Sequence, residues 1–280
     1  MKPRITIRLF DHLSVRCGDN ELLVHSSAKA KEILCYLIVN RRGSVTRDAL
    51  AELIARTLPH QKSRKALRHA LWQLRGGLSQ GRRICSARLL GSGEGWVQFK
   101  PDEEVWVDTA EFESLASSAG TLLGDVPIDP RALSRAADLH RGEFLQGWDH
   151  DWCDRERRRL KQIYLEVLDA LVTYCESLDH GNAGVAYATR ALDIDPAREC
   201  THRALMRLYV SAGDRASALH QFERCVSALR KHLKVDPDAE TLALERLIRE
   251  GKTVRSSAAQ QYLPSLGVML GPVAKTARTR

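Results

Sequence analysis

Lys62 to Leu78 reads KSRKALRHALWQLRGGL, and taken as a helix it separates into two faces. At about 100° per residue, Leu67, Ala70, Leu71, Leu74 and Leu78 fall within roughly 100° of arc, while Arg64, Lys65, Arg68, His69, Trp72 and Arg75 occupy the other side. The leucine face suits a protein core. The opposite face gathers cations around one indole and suits phosphate groups, although a cationic helix face is ordinarily solvated surface. The flanking elements decide between those readings.

Upstream, Ile5, Ile7 and Leu9 alternate with polar residues, Leu13 and Val15 follow, and Gly18-Asp19-Asn20 is a turn signal before Leu22-Leu23-Val24. This is the pattern of a small antiparallel sheet. Ser26-Ser27 stands where a cap belongs, ahead of a helix with Ile33, Leu34, Leu37 and Ile38 on one face and Arg41-Arg42-Gly43 as its stop. Ser44 or Thr46 is placed to cap a second, shorter helix with Leu50, Leu53 and Ile54 inward and Pro59 at its end. The helix at 62–78 is therefore the third. After it, Gly76-Gly77 is a stop, Ile84-Cys85-Ser86 reads as a strand, and GSGEG (Gly91 to Gly95) turns the chain into Trp96-Val97-Gln98-Phe99. A sheet, three helices and a closing hairpin make a winged helix, in which the third helix enters the major groove and the hairpin flanks it.

The charge distribution agrees with that placement. Residues 1–100 carry 19 Lys and Arg against 7 Asp and Glu, whereas the remainder carries 24 against 28, so the net charge of +8 is an excess concentrated in the first third of the chain. A basic domain suited to a polyanion joined to a mildly acidic one is the expected organisation. The start, MKPRITIRLFDHLSV, lacks an apolar run of signal-peptide length, and no stretch approaches the roughly 20 apolar residues that span a bilayer, so a cytoplasmic protein without membrane association is expected. The seven cysteines (Cys17, Cys35, Cys85, Cys153, Cys175, Cys200, Cys225) are scattered and never in a C-x-x-C pair, which reads as reduced packing residues, with no metal site expected.

Beyond Pro101 the pattern becomes helical throughout. Val105-Trp106-Val107-Asp108 leads into a helix with Phe112 and Leu115, and Leu133, Ala136, Ala137 and Leu139 mark another after a connection bearing Gly124, Pro127 and Pro130. Next comes RGEFLQGWDHDWCDRERRRL (Arg141 to Leu160), then a helix through Tyr164, Leu168, Leu171, Val172 and Cys175. Phe144, Trp148 and Trp152 recur at every fourth residue, which reads as helical core packing, with an acidic-aromatic interaction site (Glu143, Asp149, Asp151) as the other reading. Gly181-Asn182 and Gly213-Asp214 lie 32 residues apart, and each precedes an Ala-rich helix running towards Asp195-Pro196 or Asp236-Pro237. That is close to the tetratricopeptide period of about 34 residues, in which small residues such as Ala188, Ala191, Ala216 and Ala218 let helices approach. A plain helical bundle is the alternative. Residues from 251 onward, ending KTARTR, read as a disordered basic tail.

The order of these segments resembles the Streptomyces antibiotic regulatory protein (SARP) family: an OmpR-type winged helix followed by a bacterial transcriptional activator domain. The resemblance covers about residues 1–250 and rests on KEILCYLIVNRRGSVTRDALAELI (Lys31 to Ile54), the SRKALRHALWQLRGGL helix, VWVDTAEFE (Val105 to Glu113), and RGEFLQGW (Arg141 to Trp148) with Trp152 and Arg155 beyond it. The chain departs from the family where Thr57-Leu58-Pro59-His60 replaces a Trp-Pro-Asp-like turn, and where Trp96 replaces a common tyrosine. No G-x-x-x-x-G-K-S/T sequence accompanies it, so the ATPase module of larger relatives is not implied, nor is a receiver domain ahead of the winged helix.

The resemblance implies a mainly α fold with a small β component: a winged-helix DNA-binding domain at 1–100, an all-α tetratricopeptide-like activator domain at 101–250 and a tail at 251–280. It implies a sequence-specific transcriptional regulator with double-stranded DNA as partner, and RNA polymerase or a second protomer on repeated half-sites as partner of the helical domain. Guanine-edge readout falls to one or two of Arg64, Lys65 and Arg68, with Arg75 and the others on phosphates and Trp72 either on sugar or thymine methyl groups or against the wing. Arg82, Arg83 and Arg88 are expected near the wing, and Lys29 and Lys31 are weaker phosphate candidates. The alternative is a tetratricopeptide-type adaptor whose winged helix binds protein. No catalytic residue, cofactor or enzyme activity is expected, because His140, Glu143, Asp149, His150 and Asp151 form no nucleophile-base pair or metal set.

Overall fold

The computed structural model describes residues 5–55, 59–79, 89–101, 104–118, 129–178 and 180–252. Its strands are β1 (Ile5–Arg8), β2 (Ser14–Cys17), β3 (Asn20–Glu21), β4 (Val45–Thr46), β5 (Leu90–Gly93), β6 (Trp96–Phe99) and β7 (Val105–Val107). Its helices are α1 (Ala28–Val39), α2 (Arg47–Ala55), α3 (His60–Leu78), α4 (Asp108–Ser118), α5 (Pro130–Leu139), α6 (Asp151–Ser177), α7 (Gly181–Ile194), α8 (Glu199–Ser211), α9 (Arg215–His232) and α10 (Ala239–Arg249). The chain is mainly α with a small β component. It divides into two compact units, one holding residues up to Phe112 together with Leu139–Leu160, the other Glu113–Asp138 with residues from Lys161 onward.

The first unit is a winged helix behind a four-stranded sheet of order β3-β2-β1-β7, in which β7 runs parallel to β1 with Ile5 opposite Val105. Alternation along β1 turns Ile5 and Ile7 inward. Past the sheet, the buried Asp108 carboxylate accepts the main-chain N–H groups of Leu9 at 2.8 Å, Phe10 at 3.0 Å and Thr109 at 2.7 Å. It thereby ties the start of α4 to the end of β1 although burial pushes its pKa up to about 6. Ser27 caps α1, accepting the Ala30 N–H, and Thr46 plays that part for α2, accepting the Ala49 N–H at 3.2 Å. α3 buries Leu67, Ala70, Leu71, Leu74 and Leu78, the stripe expected from its spacing. Each such leucine is worth about 1.5–3 kcal/mol of burial. β4, β6 and β5 form a second, three-stranded sheet whose β5–β6 hairpin is the wing.

The segment at 141–150 differs from the expected helix. Phe144 and Trp152 are buried, but Leu145 (φ 45°) and Gly147 (φ 83°) take left-handed backbone, so the chain loops before α6 begins at Asp151. The loop packs against the end of β1: Asp11 N–H donates to Glu143 O at 2.9 Å, and Leu145 N–H to Leu9 O at 2.8 Å. Arg157 holds it from beneath, donating to the carbonyls of Phe144, Leu145 and Trp148 at 2.6–2.9 Å. Residues 139–160, placed with the helical domain on sequence grounds, thus pack within the first unit.

In the second unit, α7–α10 stack as consecutive antiparallel helices of tetratricopeptide character. Val172, Ala188, Leu192, Ala204, Leu205 and Leu208 form one core cluster, and Met206, Ala218, Leu244 and Ile248 the next. Ala188, Ala191 and Ala218 are fully buried as small-residue packing requires, whereas Ala216 is exposed. The tightest approach is at Gly184, where a Cβ would stand 2.9 Å from Leu208 Cδ1 and 3.1 Å from Cys175 Cβ. Two ion pairs lie under the stack, Arg198 with Asp169 and Arg207 with Glu176. Cys35, Cys153, Cys175 and Cys225 are buried free thiols, while Cys200 is exposed. Among the described residues no helix is long and apolar enough to cross a membrane.

Candidate nucleic-acid interface

α3 carries Lys62, Arg64, Lys65, Arg68 and Arg75 and no Asp or Glu from end to end. Because its leucine stripe is buried, these side chains are forced outward, and all five residues are exposed. Tertiary contacts then treat them differently. Arg64 donates from Nε at 3.0 Å and from Nη2 at 2.8 Å to one oxygen of Asp48, on the first turn of α2. Those bonds hold the Asp48 carboxyl below its ordinary pKa, and His60 Nε2 lies 3.7 Å from the same oxygen. Arg75, near the other end of α3, donates from Nη2 to Ser92 Oγ at 3.1 Å, on the wing strand β5. Among the described residues, Lys65 and Arg68 make no ion pair or side-chain hydrogen bond, so their charges stand free on the outward face.

Trp72 is 71% exposed, and its ring stacks on His69 with centroids 5.9 Å apart and planes 24° from parallel. The indole that lies against the wing is the wing's own Trp96, whose ring covers Gly93 so closely that a Cβ there would be 2.4 Å from Nε1. An indole left in water costs hydrophobic free energy, and Trp72 bears that cost on the outward face of α3.

The wing is fastened to both helices of the pair. Val45 and Thr46, just before α2, pair with Val97 and Trp96, and Arg47 N–H donates to Gly95 O at 2.8 Å. With Arg75 bound to Ser92, the start of α2, the end of α3 and the hairpin form one connected surface. α1 joins it through Ser27, whose hydroxyl donates to Gln73 Oε1 of α3. Lys29 is exposed on the first turn of α1 and Lys31 is half-buried. Arg82, Arg83, Arg88 and the strand expected at Ile84–Ser86 lie outside the described residues, as does the tail from 253 onward.

Sequence reasoning placed Arg64 and Arg75 on the cationic face but missed their partners, Asp48 and Ser92, and gave His69 no part. Thr46 as a cap was a signal for Asp48, since it places that residue in the first turn of α2. No local signal marked Ser92. Among the described residues no group of His, Cys, Asp and Glu could hold a metal ion.

A family model described as the bacterial transcriptional activator domain matches residues 107–249. In sequence the chain is similar to the regulatory protein AfsR of Streptomyces coelicolor, with 27% identity over 223 residues covering 78% of this chain and 22% of that protein. The chain therefore spans less than a quarter of that relative's length. In structure it is similar to Mycobacterium tuberculosis EmbR, solved in complex with a low affinity phosphopeptide, with a TM-score of 0.74 and 19% identity over 95% of this chain and 71% of that one. At that identity the likeness is one of fold.

Proposed function

The chain belongs to the bacterial transcriptional activator domain family, and on that premise we propose that it is a transcriptional regulator that binds duplex DNA sequence-specifically. The observation that carries this reading is α3: a helix with five exposed cations and no carboxylate, fastened between α2 and a hairpin. In a winged helix the third helix lies in the major groove, and the wing follows the adjoining backbone. Lys65 and Arg68, without an ion pair among the described residues, suit phosphates or base edges, Arg75 suits the backbone beside the wing, and Trp72 suits sugar or thymine methyl groups. Arg82, Arg83, Arg88, Lys29 and Lys31 extend the proposed contact region along the backbone.

The proposed division of labour puts DNA binding in residues 1–100, of OmpR-type winged-helix form, and protein contact in residues 101–250. The helical stack engages RNA polymerase, or a second protomer on repeated half-sites, and the output is activation. Phosphopeptide binding belongs to the EmbR complex, and at 19% identity the likeness to that chain is one of fold.

Genome-wide footprinting of the protein, followed by titration of a recovered fragment at several salt concentrations, tests the reading. Binding through several phosphates weakens steeply with salt, by about 0.9 in the log–log slope per phosphate contact. A protein that recovers no fragment, or whose complexes are insensitive to salt, is instead an adaptor whose winged helix binds protein.

A further inference from the structure

Arg64, on the cationic face of α3, donates two hydrogen bonds to Asp48 of α2, and that geometry limits what Arg64 has left to offer. A guanidinium has five N–H groups in a planar fork. Asp48 takes the Nε–H and one Nη2–H on a single oxygen, at 3.0 and 2.8 Å. Both N–H groups of Nη1 and the second of Nη2 remain, and together they make up the end of the fork. That end is the one whose spacing matches O6 and N7 of guanine in the major groove. The side-on approach through Nε and Nη2 is already occupied.

We propose that Asp48 is a positioning residue that presents Arg64 end-on, so that Arg64 reads one guanine; this rests on the DNA-binding reading above. Both partners are more than half exposed, so the pair adds little to stability. Its use is to remove rotamer freedom from a long side chain before it meets a base, and to neutralise the Asp48 carboxylate, which would otherwise repel the phosphates beside α2. Lys65 and Arg68 have no such support among the described residues and are assigned to sequence-independent contacts. The arrangement makes the base preference of Arg64 depend on a residue that itself touches no base.

Selection from randomised duplexes with the full chain, followed by titration of the selected duplex and of single-base variants, tests this. Arg64→Ala is expected to lose about tenfold or more of the discrimination at one base pair. Asp48→Asn is expected to lose discrimination at that same base pair, with preferences elsewhere retained, and the double variant to lose no more than Arg64→Ala alone. Asp48→Glu, which keeps the carboxylate, is expected to recover part of the preference. Arg64→Lys controls for folding, since it keeps the charge but has no fork, and is expected to behave as Arg64→Ala. The inference is overturned if Arg64→Ala and Arg64→Lys keep the full base preference, or if Asp48→Asn alters affinity equally for all duplexes. If the unaltered chain selects no duplex, the DNA-binding reading itself has failed, a result distinct from either.

Discussion

Gly77 of α3 lies so close to Leu23 that a Cβ on the glycine would stand 2.8 Å from Leu23 Cδ2 and 2.4 Å from Ser26 Oγ. Leu23 is buried at a left-handed φ of 64° and has little freedom to retreat. Gly76, one residue earlier, would meet nothing within 4 Å. Gly77→Ala is therefore expected to destabilise by about 1–3 kcal/mol through overpacking. Gly76→Ala is expected to stabilise by up to about 1 kcal/mol by restricting the unfolded chain. Urea unfolding of both variants checks this; shifts of the same sign would show that the close approach does not constrain α3.

Arg157 is only 14% exposed and donates to three main-chain carbonyls of the 144–148 loop as well as to Asp154 at 2.7 Å. Lysine has a single ammonium and cannot span those acceptors. Arg157→Lys is expected to cost on the order of 3 kcal/mol, and amide exchange at Leu145 and Gln146, whose N–H groups bond to Leu9 and Asp11, should rise. Unchanged exchange at those amides would mean that the loop holds itself.

His202 is buried, its Nε2 against Pro196 O at 2.9 Å and its Nδ1 against Gln221 Nε2 at 2.6 Å. A carbonyl only accepts and an amide NH2 only donates, so the ring is the neutral Nε2–H tautomer. Burial lowers its pKa below the ordinary 6.5. The unfolded chain thus takes up this proton first, and the contribution of His202 to stability is full above about pH 6.5 and is lost as pH falls below it. Unfolding free energies measured from pH 8 to pH 5 should fall more for the unaltered protein than for His202→Gln. Parallel curves would rule the residue out as the source.

Trp72 is expected to separate stability from binding. With 71% of its surface exposed, Trp72→Ala should leave unfolding within about 0.5 kcal/mol of the unaltered protein while weakening duplex binding. Lys65→Ala and Arg68→Ala should weaken binding alike for all sequences and lower the salt slope by about 0.9 each. A Trp72→Ala chain that binds as before would leave the indole without the assigned contact.

The third helix was readable because its information is local. A period of 3.6 residues decides which side chains share a face whatever the rest of the chain does, and Ser27 and Thr46 mark helix starts by reaching a main-chain N–H three residues on. The same rule misread residues 144–152: Phe144, Trp148 and Trp152 have a helical spacing, yet two left-handed residues between them bend the chain, and only Gly147 hinted at it.

From the sequence alone came the mainly helical composition, the three helices and hairpin of the winged helix, the two Gly-polar corners of the helical stack and the cationic face of α3. Each is set by contacts within a few residues or by charge that needs no geometry. The tertiary structure alone decided that Arg64 is held by Asp48 while Lys65 and Arg68 have no ion pair among the described residues, that Arg75 is bound to the wing through Ser92, and that residues 139–160 return to the first unit. Those pairings join residues 16, 17 and, for Asp11–Glu143 and Leu9–Leu145, 132 and 136 positions apart, and no helical or strand period carries across such a distance. They depend on how whole elements pack, which is where side chains of equal charge on one helix acquire different work.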